Sequence, residues 1–515
     1  MYLTQSLHRA VQQFPDEIAS VCGDRTRTHR EVGDRVARLA GALRALGVAK
    51  GDRVALLAHN SDVYHEFLYG VWWVGGAVNL VNTRWSNPEI AYSLEDSDTR
   101  ILFVDDAFAP EAARLRALWS GLTTVVHCGD GPTPPDMLSY GDLIGGHEPV
   151  EDLRVGGDAL AGLFYTGGTT GFPKGVMLSH AGIVTSGLGL ISTGQGVRRG
   201  GRYLHCAPLF HCAALGTWNN QNLVGGSHVF LPSFDATAVL EAVQKHRVSA
   251  LLLVPAMIQV LVSHPRLADY DLSSLVRIGY GASPISETLL RRAMEAFKGV
   301  AVQQSYGMTE LSPGATILTP EDHLDPVLRR SAGRAISCVE IRILDPAGNE
   351  VPRGTVGEIA ARGGNVMLGY WKKPEETAEA LRGGWMHTGD AGYMDKAGYV
   401  YIVDRLKDMI VTGGENVYSA EVENALAQHP AVASCAVIGV PDAQWGERVH
   451  AVIELRPGAR TTTEEVREHC KTLISGYKSP RSCEFVEAMP LSPAGKILKR
   501  DLRKPHWEKN GRSVS

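Results

Sequence analysis

The sequence predicts an α/β protein with a large N-terminal layered α/β domain that includes a β-rich subdomain, followed by a small α+β C-terminal domain. Helical and strand-like segments alternate to about residue 330, which is typical of layered α/β folds. Short apolar runs bounded by turn residues, at 249–255 and 276–280, are typical of buried parallel strands. Between about residues 335 and 405 the pattern changes to alternating strands separated by turn signals.

The domain boundaries follow from the order of these elements. In the large domain, apolar residues recur at helical spacing from Val32 to Leu46, and the strand-like run 53–58 follows Gly47. Near the C-terminus, a helical run at 420–427 and strands at 433–440 and 450–455 indicate a separate α+β unit. We therefore expect a large domain, residues 1–406, with the β-rich subdomain at about 335–405, and a small domain, residues 407–515.

Composition narrows the function class. The chain has 515 residues, of which 44% are hydrophobic and 21% charged, as in ordinary globular proteins of more than one domain. Its net charge of −5 argues against a nucleic-acid partner, because nucleic-acid-binding proteins normally carry a basic excess. The eight cysteines include no C-x-x-C pair, so reduced thiols and a cytoplasmic location are expected. Neither a secretion signal nor an apolar run of about 18 residues is present, so no transmembrane segment is expected.

Residues 165–176, Tyr-Thr-Gly-Gly-Thr-Thr-Gly-Phe-Pro-Lys-Gly-Val, form a candidate phosphate-binding loop. Glycine N–H groups can converge on phosphate oxygens, and threonine hydroxyls and a lysine add further donors. The donors expected to bind phosphate are Thr166, Gly167, Gly168, Thr169, Thr170, Gly171 and Lys174. The loop is not a Walker A motif, because Pro173 precedes the lysine and Gly175 follows it. An ordinary glycine-rich surface loop is the alternative interpretation.

This loop resembles the phosphate loop of the adenylate-forming enzymes, the superfamily of acyl-CoA synthetases, peptide-synthetase adenylation domains and luciferases. Further matching segments follow in order: 207–211 (Ala-Pro-Leu-Phe-His), 279–284 (Gly-Tyr-Gly-Ala-Ser-Pro), 305–310 (Ser-Tyr-Gly-Met-Thr-Glu), 385–390 (Trp-Met-His-Thr-Gly-Asp), 401–408 (Tyr-Ile-Val-Asp-Arg-Leu-Lys-Asp), 413–418 (Gly-Gly-Glu-Asn-Val-Tyr) and 493–498 (Pro-Ala-Gly-Lys-Ile-Leu). Within the superfamily the chain looks most like a bacterial fatty-acyl-CoA synthetase. The resemblance implies activation of a carboxylic acid with Mg²⁺ as cofactor and with ATP and CoA as co-substrates.

The resemblance also assigns nucleotide contacts. The loop 166–174 would hold the β- and γ-phosphates, Thr309 would contact the α-phosphate, and Glu310 would bind Mg²⁺, which prefers oxygen ligands. Asp390 would accept hydrogen bonds from both ribose hydroxyls, and Arg405 would contact the same sugar. The remaining nucleotide contacts are expected from Gly281, Ala282, Ser283, Gly307 and Tyr306, whose ring would stack on adenine.

Lys496 corresponds to the superfamily lysine that bridges the acid and the α-phosphate as charge develops during adenylation. Without the resemblance, the basic run 496–504 would be expected to form a solvated helix face. The expected catalytic residues are Lys496, Lys174, Thr309 and Glu310.

The resemblance further implies that the small domain is mobile. Lys407 matches the hinge about which this domain rotates between the two half-reactions. After rotation, Gly413, Gly414 and Tyr418 would border the CoA tunnel. Ser419 stands where the superfamily often has proline, a difference expected to loosen the loop after the hinge.

The identity of the acid is the least determined feature. The expected acyl pocket consists of His211, Trp218, Gly279, Tyr280 and Gly281. This set is small and largely apolar, which favours a medium- or long-chain fatty acid. Because the two aromatic rings could instead enclose an aryl group, a benzoate- or cinnamate-type acid is the alternative. Core packing is the alternative role for His211.

Other classes of protein are less consistent with the sequence. Absence of G-x-G-x-x-G and G-x-S-x-G motifs argues against a dinucleotide-dependent dehydrogenase and a serine hydrolase. The His205-Cys206 and His211-Cys212 pairs match no common zinc spacing. A non-catalytic adenylate-binding sensor stays open, although a sensor need not keep both the magnesium and the lysine residues. A homodimer is also left open.

Overall fold

The computed structural model describes residues 1–166, 173–195, 197–283, 285–406, 408–412, 415–442, 444–492 and 496–508. The strands are β1 (Ile18–Cys22), β2 (Arg25–Thr28), β3 (Arg53–Leu57), β4 (Ala77–Leu80), β5 (Ile101–Val104), β6 (Thr124–His127), β7 (Leu138–Ser139), β8 (Leu160–Thr166), β9 (Lys174–Ser179), β10 (Arg202–His205), β11 (Ser227–Phe230), β12 (Ala250–Leu253), β13 (Arg277–Gly281), β14 (Ala301–Gly307), β15 (Gly314–Leu318), β16 (Arg334–Ala335), β17 (Val339–Leu344), β18 (Gly357–Gly363), β19 (Gly369–Tyr370), β20 (Met386–Met394), β21 (Val400–Arg405), β22 (Ile410–Thr412), β23 (Glu415–Val417), β24 (Val432–Asp442), β25 (Gly446–Leu455) and β26 (Ser482–Val486).

Helices separate most of the strands. The α-helices are α1 (Gln5–Gln13), α2 (His29–Ala45), α3 (Asp62–Trp73), α4 (Asn87–Asp96), α5 (Ala112–Leu118), α6 (Tyr140–Gly145), α7 (His180–Leu190), α8 (Cys212–Val224), α9 (Ala236–His246), α10 (Pro255–Val262), α11 (Glu287–Ala296), α12 (Pro374–Ala380), α13 (Ser419–Leu426), α14 (Thr463–Lys471) and α15 (Lys499–Glu508). Short 3₁₀ turns lie at Ala109–Glu111, Leu267–Asp269, Thr309–Leu311, Asp322–Leu324, Leu328–Arg330 and Arg382–Gly384, and a π-helical turn lies at Ile191–Gln195.

Local sequence signals explain where the helices begin. The hydroxyl of Thr28 accepts a hydrogen bond from the Glu31 N–H, and the Glu31 carboxylate accepts one from the Thr28 N–H. This capping box starts α2, whose predicted apolar face is buried. The predicted helix and the strand after it, β3, are both confirmed. The helix begins three residues before the predicted Val32 and ends one residue before the predicted Leu46.

Two large sheets build the N-terminal part of the described chain. One has nine strands in the order β16-β15-β14-β13-β12-β10-β11-β1-β2, and the other has eight in the order β19-β9-β8-β4-β3-β5-β6-β7. Their central strands pair in parallel. Helices α2, α3, α7 and α8 share one apolar core with strands of both sheets. This arrangement confirms the predicted layered α/β fold.

Two smaller sheets follow. Strands β17, β18, β20 and β21 form an antiparallel sheet, and along β17 buried and exposed residues alternate over most of its length. Strands β22 to β26 form the sheet of the C-terminal unit. Helices α13 and α14 share an apolar cluster on one face of this last sheet, and Leu502 of α15 joins a second cluster on the other face. The predicted boundary residue Lys407 lies outside the described residues.

Two further observations concern the cysteines and the helices. All eight cysteines carry free thiols, as the absence of C-x-x-C pairs predicts. Among the helices that the structure describes, none has the length and apolar character needed to cross a lipid bilayer.

Candidate active site

The predicted adenine-binding residues lie at the carboxyl ends of β13 and β14. These strands run parallel, and Gly281 pairs with Ser305 at their ends. A Cβ at Gly281 would collide with the Ser305 carbonyl, so only glycine fits there. Ala282 follows with a φ of +65°. Ligands of open parallel sheets bind at this edge, and left-handed non-glycine residues are enriched at such sites.

Glu310, the predicted magnesium ligand, is held in the 3₁₀ turn that follows β14. Its side chain is almost fully buried, with 6% of the residue exposed. The Tyr370 hydroxyl donates a hydrogen bond of 2.9 Å to Glu310 Oε1. Burial and the Glu310 charge raise the pKa of Tyr370. Because Tyr370 stays protonated, its hydroxyl orients a carboxylate that is an acceptor suited to a hard cation.

Tyr370 also links Glu310 to the predicted phosphate loop. The Lys174 Nζ atom lies 5.1 Å from the centroid of the Tyr370 ring, within the range of a cation–π contact. This position results from β19, which pairs antiparallel with β9 so that Tyr370 lies opposite Val176. The role of Tyr370 was not predicted from the sequence, because no local motif indicates the pairing of a two-residue strand.

The predicted ribose-binding residue Asp390 meets the predicted adenine-stacking residue Tyr306. The Tyr306 hydroxyl donates a hydrogen bond of 2.8 Å to Asp390 Oδ2. Asp390 is 7% exposed, and its own N–H donates to Thr388 Oγ1. Two residues separated by 84 positions in the chain are thus brought together, as a common nucleotide site requires.

The ends of the candidate phosphate loop are placed by a strand pair. Strands β8 and β9 are antiparallel, and Thr166 lies opposite Lys174 in their register. Residues of the loop between them, Gly167, Gly168, Thr169, Thr170 and Gly171, lie outside the described residues. Gly307, at the end of β14, is closely packed, since a Cβ there would collide with the Pro313 carbonyl. Thr309 opens the turn that carries Glu310.

The predicted acyl-pocket residues fall into two groups. Tyr280 is fully buried, and its hydroxyl is hydrogen-bonded to His323 at 3.0 Å. Strand alternation directs it to the face opposite to that of Gly279 and Gly281. Trp218 is also buried, and its indole N–H donates to His65 at 2.9 Å. Both aromatic residues thus make core contacts, and their part in an acyl pocket stays a prediction.

His211 is the one remaining pocket residue with a large side chain. It precedes α8, and its ring centroid lies 4.3 Å from that of Phe210. Burial and the charge of Glu310 raise the pKa of the adjacent Cys212 thiol. The charge of Glu310 therefore acts on the first residue of α8.

Lys496 lies on a hairpin in the C-terminal unit. Leu491 and Ile497 form an antiparallel bridge, and the Ser492 N–H donates to the Lys496 carbonyl at 2.6 Å. The Lys496 N–H in turn donates to Ser492 Oγ at 3.0 Å. Lys496 is half-buried, and residues 493–495 lie outside the described residues. The bridge and the two hydrogen bonds to Ser492 fix the backbone of Lys496.

Three residues later, Lys499 occupies a very different environment. Its Nζ lies 2.7 Å from Glu423 Oε1 and donates to Ser419 Oγ at 2.6 Å. Although burial opposes it, the charges of Glu423 and Asp404 raise the pKa of Lys499. Arg503 pairs with Asp408 at 2.9 Å and is likewise buried. The expectation that the basic run forms a solvated helix face is therefore wrong for Lys499 and Arg503, because both cations pair with partly buried carboxylates.

Ser419 connects the C-terminal unit to the sheet before it. Its N–H donates a hydrogen bond of 2.5 Å to Asp404 of β21, and its hydroxyl accepts one from Lys499. Proline at this position would have no N–H to donate. The expected loosening of this segment is thus not seen, since the serine supplies two hydrogen bonds.

The structure describes some of the residues predicted for the hinge, the CoA tunnel and the second sugar contact. Tyr418 is half-buried immediately before α13, and burial raises its pKa. The backbone of Arg405 pairs with Asp390 across β20 and β21. Lys407, Gly413 and Gly414 lie outside the described residues.

The geometry agrees with comparisons to known proteins. A family model described as AMP-binding enzyme matches residues 7–371, and one described as AMP-binding enzyme C-terminal domain matches residues 421–496. The chain is 41% identical over 498 residues to a feruloyl-CoA synthase from Amycolatopsis, covering 96% of this chain and 97% of the relative. It is 35% identical over 489 residues to the long-chain-fatty-acid–CoA ligase FadD13 from Mycobacterium tuberculosis, covering 93% of both. A crystal structure of the anthranilate CoA ligase AuaEII with anthranoyl-AMP superposes with a TM-score of 0.92 at 28% identity, covering 99% of this chain and 98% of that one.

Proposed function

This chain belongs to the AMP-binding enzyme family, as its motifs predicted, and we propose that it joins an aryl-substituted acid of the cinnamic type to CoA. As a member, it is an acid–thiol ligase of the AMP-forming type. The observation that carries the choice of acid is the similarity to the feruloyl-CoA synthase, which exceeds the similarity to the fatty-acid ligase. The order of the two candidate acids is therefore the reverse of the sequence-based expectation.

In the first step the acid's carboxylate oxygen attacks the α-phosphorus of ATP, and the bond to pyrophosphate breaks. Lys174 and the loop before it would hold the leaving phosphates. The buried carboxylate of Glu310, oriented by Tyr370, would supply an oxygen ligand for Mg²⁺, which would neutralise phosphate charge. Asp390, held by Tyr306, would accept the ribose hydroxyls.

Lys496 would provide the cation that bridges the acid and the α-phosphate as negative charge builds. In the second step the CoA thiol attacks the acyl carbon, AMP leaves, and a thioester forms. We propose that the small domain rotates about Lys407 between the steps, so that Lys496 withdraws and the segment around Tyr418 borders the thiol path.

A fatty acid is the second candidate. It is favoured by the apolar character of the start of α8 and by the similarity to the fatty-acid ligase. With Trp218 and Tyr280 engaged in core contacts, neither ring supports an aryl pocket directly.

The test is a substrate series with purified protein, ATP, Mg²⁺ and CoA. Ferulate, cinnamate and 3-phenylpropionate would be compared with octanoate, dodecanoate and palmitate by pyrophosphate release and by the mass of the thioester. We expect kcat/KM for ferulate to exceed that for every fatty acid by about tenfold or more. A maximum along the alkyl series would support the second candidate instead, and no turnover with either series would contradict both.

A further inference from the structure

Three potential metal ligands meet in the C-terminal unit, away from the residues assigned to the reaction. His450 lies on β25, Glu484 on β26 and His506 on α15. Glu484 Oε2 lies 3.9 Å from His450 Nε2 and 3.8 Å from His506 Nε2. The three ligand atoms all lie within 4.8 Å of one another. Among the described residues, these three side chains have a spacing that could hold a metal ion.

The fold directs all three side chains to one place. Strands β25 and β26 are parallel, with His450 opposite Ser482 and Val452 opposite Glu484. Because alternate residues of a strand share a face, His450 and Glu484 project from the same face of the sheet. Helix α15 covers this face through Leu502, which lies one helical turn before His506.

His450 supplies an independent sign that a ligand belongs there. The residue is 5% exposed, and its Nε2 atom is buried without a hydrogen-bond partner. Buried polar atoms are normally paired, and an unpaired one costs about 1–3 kcal/mol. The other ring nitrogen, Nδ1, lies 2.7 Å from Ser482 Oγ. In metal sites, one ring nitrogen of a histidine typically makes a hydrogen bond that orients the ring, and the other binds the metal. His450 has this arrangement, with Nδ1 near Ser482 and Nε2 without a hydrogen-bond partner.

We propose that His450, Glu484 and His506 form a binding site for a divalent transition metal such as Zn²⁺. Two imidazoles and one carboxylate are borderline-soft ligands that suit zinc, and they do not suit Mg²⁺, which prefers an all-oxygen set. In tetrahedral zinc sites the ligand atoms are about 3.3 Å apart. Glu484 Oε2 would therefore need to move about half an ångström closer to each imidazole, which its exposed side chain allows. The two imidazole nitrogens, at most 4.8 Å apart, would need to close by at most about 1.5 Å, which the partly exposed His506 side chain allows.

The surrounding charges are compatible with a cation. The guanidinium of Arg448 is 3.8 Å from the carboxylate of Asp442. The bound metal would tie β25 and β26 to α15, the helix that begins three residues after Lys496.

The test uses the full-length protein without an affinity tag, stripped with a chelator. Zn²⁺ binding is measured by calorimetry and Co²⁺ binding by visible absorption, both in excess Mg²⁺ so that Glu310 does not contribute. We expect one equivalent to bind, and Glu484→Gln and His506→Asn to weaken binding by about tenfold or more. Glu487→Gln, which alters an exposed carboxylate on the same segment, should bind as the wild type does.

Hydrogen exchange gives a second readout. Zn²⁺ should slow amide exchange in α15 of the wild type and leave it unchanged in Glu484→Gln. Thioester formation by each variant checks that it is folded, since these residues are outside the reaction site. Failure of the wild type to bind, or equal binding by wild type, Glu484→Gln and His506→Asn, would overturn the proposal.

Discussion

The large domain and the C-terminal unit present their predicted reaction residues in opposite ways. In the large domain the carboxylates of Glu310 and Asp390 are buried, and each accepts a hydrogen bond from a tyrosine hydroxyl. In the C-terminal unit Lys496 is half-buried at the base of a hairpin. This difference is consistent with the proposal that one region is a fixed receptor for the nucleotide and that the other delivers and withdraws a cation.

The C-terminal unit contains its own contrast between two lysines. The Lys499 ammonium is held by Glu423 and Ser419. Lys496, which matches the family's C-terminal lysine motif, donates its backbone N–H to Ser492 Oγ. We propose a structural role for Lys499 and a catalytic role for Lys496. The following predictions test that division and the contrast between the two regions.

Lys496→Ala should produce the largest effect. Loss of one charge-stabilising group typically lowers a rate by about 10²–10³-fold, so adenylate formation should fall by that amount. Thioester formation from supplied acyl-adenylate should change little. Both half-reactions are measured by quenched-flow analysis, with Arg500→Ala as an exposed-cation control. Equal losses in the two half-reactions would refute the role of Lys496.

Lys499→Met should act on stability instead. Removing one partner of a buried ion pair leaves the other charge uncompensated, and we expect a loss of about 3 kcal/mol in unfolding free energy. This value is at the lower end of the range of about 3–5 kcal/mol for breaking a buried ion pair, because the Lys499 side chain remains 17% exposed. Urea unfolding measures the loss. Arg500→Met, on an exposed position of the same helix, should change stability by less than about 0.5 kcal/mol.

A fall in pH should destabilise the large domain. Burial lowers the pKa of His65 and of His205 to about 3 each and that of His228 well below its usual value. The unfolded chain then binds more protons, so this stability is present above about pH 6.5 and is lost as pH falls. Between pH 7.5 and 6.0 we expect a loss of about 0.8 kcal/mol per histidine.

The loss is measured by urea unfolding with tryptophan fluorescence, since Trp218 contacts His65. His205→Gln should reduce the loss between pH 7.5 and 6.0 by about 0.8 kcal/mol, the contribution of one histidine. A midpoint that stays constant or rises at pH 6.0 would contradict the assignment of these buried histidines as neutral.

Tyr306→Phe should have the smallest effect. It removes the hydroxyl that donates to Asp390 and should raise the KM for ATP by about 3- to 10-fold, as expected for one hydrogen bond. Tyr399→Phe is a matched control, because it removes a similar hydrogen bond, 2.7 Å long, to Asp322. If both variants change the KM for ATP equally, the hydrogen bond from Tyr306 to Asp390 does not contribute specifically to ATP binding.

The sequence predicted features that depend on local pattern. Helix α2 was recognisable from its apolar spacing, and the positions of Glu310 and Asp390 from short motifs. It did not predict Tyr370, whose place is decided by the pairing of β19 with β9. The burial of Lys499 was also missed, because its carboxylate partner is 76 positions away on another helix.

The interpretation of aromatic residues shows the same limit. Tyr280 and Trp218 were assigned to the pocket from their neighbours in the sequence. The direction of a side chain, however, depends on which face of a strand or helix is covered. His323 and His65, which bind these two rings, come from distant segments. Sequence motifs thus carried no information about these two contacts.

The most direct test of the account is to search for the acyl-adenylate itself. The protein is incubated with ATP, Mg²⁺ and ferulate without CoA, and the bound products are identified by mass spectrometry before and after CoA is added. We expect feruloyl-AMP and pyrophosphate to accumulate to about one equivalent per chain, and the adenylate to convert to the CoA thioester with release of AMP. Formation of ADP and phosphate, or a thioester that appears without any adenylate, would contradict the account.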